Sequence, residues 1–373
     1  MTTVRAKNYF NIRSSIPRKS RLRQYDGPNL IRPRTFDQYR REVDELIERA
    51  YSLDEFGKKT QLSEACKKAL IGGKRLRAII LLEIVRANAE QPIDAADVAL
   101  FIEYVHTSSL IIDDLPAFDN DLTRRGRPSL HAEFGPAVAQ MAAMSLLAAA
   151  FQNVCRQLDW VRDNCPEIKN VDQIGTLICN EVSRALSEAS SGQYMDVSPP
   201  EILMKEHGPN AIIDITYRKT ATFFELSTVI GWLISGGSLI HITTMRDIGR
   251  YIGVAFQIAD DISDMARDAS RAKPTWNIAN EYGREVATQL VEQNLKNARI
   301  LLEQTKCWTP LWDEIYSQIA CSAACACGTS VTPVMTQALP ESTYAVCGAA
   351  STSLNLPIPS QSAHLPSSYG VKA

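Results

Sequence analysis

What the sequence lacks narrows the field first. No stretch alternates apolar and polar residues at the period of two that a half-buried strand needs, so a sheet-based fold has no starting material. No internal unit recurs at the roughly 20–50 residue period of a solenoid or propeller. Excess positive charge is absent: 40 Lys+Arg against 42 Asp+Glu leave a net charge of −2. That balance offers no footprint for tracking nucleic-acid phosphates. No apolar core follows the N-terminus, so nothing has the form of a secretory signal. Disulfide spacing is missing too. Among the nine cysteines, Cys66, Cys155, Cys165, Cys179 and Cys307 are scattered as in a reducing compartment. Cys321, Cys325, Cys327 and Cys347 cluster late, but only His364 accompanies them and paired zinc spacing is absent, so they read as free thiols.

What is present is an ordinary globular composition, 45% hydrophobic and 22% charged, with charge unevenly spread. Residues 1–35 hold nine Lys/Arg and a single acid, Asp26. Residues 320–373 hold two charged groups, Glu341 and Lys372. The body, 36–319, therefore carries the remaining 30 basic and 40 acidic residues. A body so rich in carboxylates either repels itself or holds cations. Three segments follow: a basic disordered arm or targeting segment (1–34), an all-helical domain (35–319), and a low-charge Ala/Ser/Thr/Cys-rich tail (320–373) with too little apolar surface to offset its ordering entropy.

Helical periodicity begins at Thr35, where Thr35 and Gln38 have capping-box spacing. Phe36, Tyr39, Val43, Leu46, Ile47 and Ala50 then recur on one face. Helical patterns continue over about 61–71, 75–89, 94–114, 129–158, 171–192, 199–207, 211–235, 239–267 and 284–304. The uncharged stretch Leu226–Met245 contains Gly236-Gly237 and His241, and reads as two core helices meeting at a glycine break, with no transmembrane span. Ala-rich Pro136–Cys155 reads as a core helix as well. One all-α domain with buried central helices is expected.

Two acidic clusters each end an apolar run: Asp113-Asp114-Leu-Pro-Ala-Phe-Asp119-Asn-Asp121, and Asp260-Asp261-Ile-Ser-Asp264. Carboxylates in such places are costly unless something neutralises them. Asp260 and Asp264 stand at i and i+4, where like charges repel and a bound cation reverses the sign. Hard oxygen ligands suit Mg²⁺ with substrate phosphates. Asp113 and Asp119, six apart, would sit about 120° apart around a helix, so a bulged helix end is expected to bring Asp119 round. Basic groups accompany the acids: Gly72-Gly73-Lys74-Arg75-Leu76-Arg77, Arg124-Arg125-Gly126-Arg127, Lys219-Thr220 and Lys273. Taken singly, each piece is commonest as a solvated helix face, a surface turn or a helix cap. Together they describe a site for two diphosphates, one bridged by metal and one held by Arg and Lys.

The chain resembles the trans-isoprenyl diphosphate synthases, the polyprenyl synthetase family, over about residues 36–305. It is most similar to the bacterial and plant type of geranylgeranyl diphosphate synthase. The resemblance rests on Gly72–Arg77, on Glu103-Tyr-Val-His106 running into the first acidic cluster through Asp121, on Arg124–Pro128, on Gly192-Gln193-Tyr-Met-Asp196, on Lys219-Thr220-Ala221, and on Phe256-Gln257 with Asp260–Asp264. It implies an all-α isoprenoid synthase type I bundle around a central cavity, and a homodimer. It implies that isopentenyl diphosphate is condensed with dimethylallyl, geranyl or farnesyl diphosphate to give geranylgeranyl diphosphate. Asp113, Asp114, Asp119, Asp260, Asp261 and Asp264 would hold three Mg²⁺, with Asp113, Asp114, Asp260 and Lys219 as catalytic groups. Arg124, Lys219, Thr220, Gln257 and Lys273 would hold the allylic diphosphate. Lys74, Arg77, His106 and Arg125 would hold the other. The compartment implied is the cytoplasm, or a plastid or mitochondrion if the basic arm is a transit peptide.

Ser108 and Ser109, one turn before Asp113, would leave the cavity floor open to a long product where farnesyl-stopping relatives resemble one another in a bulky aromatic. The chain departs from the family in Ala143-Met144, where Gly-Asp is usual, and in the short loop after Asp264. The final family helix is also expected to be replaced by the tail. The alternative is a non-catalytic synthase-like subunit that regulates a partner synthase.

Overall fold

The computed structural model describes residues 34–52, 56, 60–208, 211–268 and 276–324. The basic arm, Lys273 and nearly all of the Cys-rich tail lie outside the described residues.

Helix α1 (Phe36–Ser52) starts at the expected capping box: Thr35 N–H donates to Gln38 Oε1 at 2.9 Å, and Gln38 N–H to Thr35 Oγ1 at 3.3 Å. Its periodic apolar face is buried. α2 (Gln61–Leu70), α3 (Leu76–Asn88) and α4 (Ala96–Asp113) follow. Arg75, between α2 and α3, adopts φ 59°. Ion pairs to Asp44 at 2.8 Å and to buried Glu103 at 3.0 Å hold it there.

After α4 the chain makes a two-stranded antiparallel hairpin, β1 (Thr123–Arg124) and β2 (Arg127–Pro128), whose strands of two residues each are too short to carry an alternating pattern. Its loop residues Arg125 and Gly126 both take positive φ, as a tight two-residue hairpin loop requires. The helix expected over 129–158 is interrupted. α5 (Leu130–Phe134) stops at Gly135, φ 84°, and α6 (Pro136–Asn164) restarts on a proline suited to a first helical turn.

α7 (Val171–Val197), α8 (Pro200–His207) and α9 (Ala211–Thr216) lead into a π turn (Tyr217–Ala221) and then α10 (Thr222–Ile234). All thirteen residues of α10 are buried, so its sequence is apolar nearly all round. Gly236-Gly237 and a short 3₁₀ turn separate α10 from α11 (Ile242–Asp268), as the glycine break predicts. α12 (Ile278–Tyr282), α13 (Arg284–Gln304) and α14 (Leu311–Ala324) complete the described chain. α14 buries Trp312, Ile315 and Ile319 and runs five residues past the expected end of order at 319.

α10 packs between α3 and α11, α4 lies along α6, and α13 covers the far side of α11. α6 is long and apolar enough to cross a membrane by length and composition, yet its Ala139, Ala142, Ala143, Leu146 and Ala150 are buried in the bundle. A cavity of about 610 Å³, lined in part by Asn88, Ile168 and Trp232, opens where the C-terminal ends of α3 and α10 meet the start of α7. No residue of either acidic cluster lines it.

Candidate active site

The first acidic cluster is built by the way α4 ends. Asp113 is its last residue and Asp114 its cap. Pro116 cannot donate, and the chain turns back instead of continuing. Phe118 N–H and Asn120 N–H both donate to Leu115 O, at 2.9 and 3.2 Å, and Asp119 N–H donates to Asp113 O at 3.0 Å. Asn120 takes φ 52° to close the turn. Asp119 thus reaches Asp113 through a reversed turn, where the sequence pointed to a helical bulge. Burial pushes the Asp113 carboxyl up from 3.8 to about 6, with Lys219 pulling the other way.

Asp114 faces elsewhere. It is 4% exposed and accepts from Arg124 Nε at 2.9 and 3.2 Å on its two oxygens. Arg124 Nη2 also lies 3.3 Å from Asp121. His131 Nε2 donates to Asp121 O at 2.9 Å and anchors the same loop on α5.

The second cluster lies on α11. Asp260 and Asp264 stand one turn apart, and Lys74 reaches to 3.7 Å from Asp260. Asp261, 8% exposed, accepts from Gln257 Nε2 at 2.8 Å. Gln257 Oε1 in turn accepts from Thr220 Oγ1 at 2.6 Å.

The π turn joins the two clusters. Lys219 Nζ lies 2.5 Å from Asp196 and 3.9 Å from Asp119, on the side of the first cluster. Thr220, its neighbour, serves the second. An α-helix would place consecutive residues about 100° apart, and the extra residue of a π turn re-aims them. Glycines on both flanks permit it. A Cβ on Gly192 of α7 would stand 2.5 Å from Lys219 N, and one on Gly253 of α11 would stand 2.5 Å from Ala221 Cα.

Beside these acids lies a set of buried donors. Arg77 Nη1 is 3.1 Å from His106 Nε2, while Arg77 Nε and His106 Nδ1 are buried without hydrogen-bond partners. The Arg77 guanidinium lies 4.4 Å over the Phe224 ring, and Lys74 Nζ lies 5.2 Å over Phe256. Burial pushes Arg77 down to about 10 and His106 well below 6.5. A desolvated cation with unfilled donors is a place for an anion. Arg125, in the hairpin loop, extends toward the same corner and donates to Ile71 O at 3.4 Å.

Among the described residues no three carboxylates, imidazoles or thiols close on one point. Lys219 and Arg124 instead neutralise the first cluster. The donor set nevertheless fits a hard divalent cation: it offers only carboxylate oxygens, and the desolvation that raises the Asp113 carboxyl to about 6 is a cost that a bound cation would offset.

The two serines before Asp113 part company. Ser109 Oγ donates to His106 O at 2.8 Å and remains half-buried. Ser108, expected on the cavity side, is buried against α6 and donates to Ala143 O at 2.9 Å. One residue that sequence reasoning left without a role joins the site, and a second lies one turn from it. Asp196 pairs with Lys219, and Gln193, one turn before it on α7, is buried with neither side-chain Oε1 nor Nε2 bonded. Their signal was the Gly192-Gln193…Asp196 spacing itself, which puts both on one helix face.

Residues 59–297 match the Polyprenyl synthetase family. A trans-prenyltransferase of African swine fever virus (isolate Pig/Kenya/KEN-50/1950) is 37% identical over 85% of this chain and 92% of its own. The large subunit 1 of the chloroplastic heterodimeric geranylgeranyl pyrophosphate synthase of Arabidopsis thaliana is 29% identical over 82% of this chain and 79% of its own. In fold, the chain superimposes on a geranyltransferase from Legionella pneumophila with a TM-score of 0.63 at 23% identity, covering 78% of this chain and 96% of that one. The chain belongs to the polyprenyl synthetase family, with the isoprenoid synthase fold. Within that family it is a trans-prenyltransferase.

Proposed function

We propose that the protein condenses isopentenyl diphosphate with allylic diphosphates (dimethylallyl, geranyl, farnesyl) to give geranylgeranyl diphosphate, with Mg²⁺ held by Asp113, Asp114, Asp119, Asp260, Asp261 and Asp264. One observation carries this reading: adjacent residues of a single π turn, Lys219 and Thr220, address the two acidic clusters, with the unfilled donors of Arg77 and His106 alongside. Bound there, Mg²⁺ supplies the charge that offsets the departing allylic diphosphate.

The chain's own groups do the rest. Arg124, Lys219, Thr220, Gln257 and Lys273 hold the allylic diphosphate and stabilise its negative charge as the C–O bond breaks. Lys74, Arg77, His106 and Arg125 fix the other diphosphate, so that the isopentenyl double bond faces the allylic carbocation. A new C–C bond forms, and the resulting cation loses a proton to the released diphosphate. No side-chain nucleophile takes part.

Support for the twenty-carbon product comes from the Arabidopsis relatives and from small, half-buried Ser109 one turn before Asp113. Met141, Met144 and Phe151, exposed at helical spacing on α6, supply a face that a second copy would cover. The purified chain, given Mg²⁺, isopentenyl diphosphate and each labelled primer, should yield geranylgeranyl diphosphate. No transfer from any primer would overturn the reading, and a shorter or longer chain would overturn the product assignment alone.

A further inference from the structure

Behind the π turn lies an ionic network with no part in the chemistry above. Glu225, on the first turn of α10, is fully buried. A carboxylate that deep is costly unless it is compensated. It accepts from Arg250 Nε of α11 at 2.9 Å and lies 2.8 Å from Arg184 Nη2 of α7. Arg184 also pairs with Glu181, one turn earlier on α7, at 3.2 Å. Glu181 takes Arg246 of α11 at 3.0 and 2.5 Å. The Arg250 guanidinium lies 5.0 Å over the ring of Tyr217, the first residue of the π turn.

The three elements tied here are those that present the site. α7 carries Asp196, the π turn carries Lys219 and Thr220, and α11 carries Gln257 and Asp260. Apolar side chains could fill this space at equal or lower cost in stability. The ionic version adds direction, because each guanidinium fork fixes the rotation of the helix it meets.

We propose that Glu225, through Arg184 and Arg250, is a positioning residue that sets the rotation of the π turn, so that Lys219 faces Asp119 and Asp196 while Thr220 faces Gln257. The inference rests on the prenyl-transfer reading, and Glu225 itself touches no reacting group.

The test is a double-mutant cycle on the full chain. Glu225→Gln keeps the shape and removes the charge. It should lower kcat by roughly tenfold or more, the scale of a small misplacement of a catalytic group, and leave the KM for isopentenyl diphosphate unchanged. In a Lys219→Ala background the same substitution should change the rate by less than about twofold, since a group acting through Lys219 has nothing left to position. Losses that multiply, or a raised isopentenyl diphosphate KM, would overturn the proposal. Should Glu225→Gln not fold, Arg250→Lys keeps the charge, loses the stacking on Tyr217 and enters the same cycle. Affinity for Mg²⁺ with pyrophosphate, measured by calorimetry, should show the same non-additivity without needing turnover. A wild-type chain that binds Mg²⁺-pyrophosphate and transfers no prenyl group would sink the functional reading while leaving this cycle decisive.

Discussion

The ammonium of Lys219 lies 2.5 Å from Asp196 and 3.9 Å from Asp119, inside the first acidic cluster. A protein cation thus occupies ground that a metal and a diphosphate would contest. Lys219→Gln should lower turnover by about 10²–10³-fold, the range for removing one preorganised electrostatic contact. It should also raise Mg²⁺ affinity in the absence of diphosphate, because a competing charge has gone. Calorimetric titration with Mg²⁺ alone checks this, and unchanged affinity would show that Lys219 and the metal do not compete.

Asp113 carries a pH-dependent cost. Its folded carboxyl keeps a proton up to about pH 6, against 3.8 for the free group. Protonation therefore favours the fold fully below 3.8, and that advantage disappears as pH rises through about 6. Well above pH 6 the metal-free protein holds a desolvated charge. Asp113→Asn should abolish turnover, yet at pH 8 it should raise the metal-free Tm by roughly 2–4 °C, the shift expected per kcal/mol. A lower Tm would show that the carboxylate stabilises the fold without metal.

His106 titrates in the opposite sense. Burial, then the guanidiniums of Arg77 and Arg125, hold its imidazole well below 6.5. The unfolded chain takes up a proton that the folded ring refuses, so this contribution is present above 6.5 and declines as pH falls. Thermal unfolding of the metal-free protein between about pH 7 and 5.5 should flatten in His106→Gln. Pyrophosphate bound against Arg77 should draw a proton onto the ring, seen as buffer-dependent binding heat. A slope identical in mutant and wild type would mean that other groups set it.

The serines before Asp113 should behave differently from each other. Ser109→Phe places a bulky ring on the half-buried side of α4 and should shorten the product. Ser108→Phe has to fit between α4 and α6, where Ser108 bonds Ala143 O, and should cost about 1–3 kcal/mol by overpacking. Product chromatography with chemical denaturation separates the two. If Ser108→Phe alone shortened the product, the tunnel would follow the α4–α6 seam.

Periodicity carried most of the fold. The face of α1, the glycine break before α11 and the two acidic clusters were all legible, because each is set by local spacing. What escaped notice is set at longer range. The π turn exists because α7 and α11 approach closely at Gly192 and Gly253, and no local propensity encodes it. The hairpin is too short for a period. The sequence points Asp114 at a metal and Arg124 at a diphosphate, and does not reveal that the two side chains pair with each other in this structure. The inward turn of Ser108 depends on where the α6 carbonyl of Ala143 lies, which one helix alone does not fix.

Glu83 of α3 has no exposed surface. It accepts from Tyr39 Oη of α1 at 2.9 Å, from Thr309 Oγ1 just before α14 at 2.5 Å, and from Arg86 Nε at 2.9 Å. Phe36 N–H, at the start of α1, donates to Glu314 of α14 at 2.8 Å. The first and last helices of the described chain are therefore fastened to one another twice, through the dry acid Glu83 and directly from Phe36 to Glu314. Clipping the polypeptide ahead of Thr309 would loosen α1 at the far end of the described chain, because Glu83 would lose one of its donors and Phe36 N–H its acceptor in surroundings where an unmade hydrogen bond is costly.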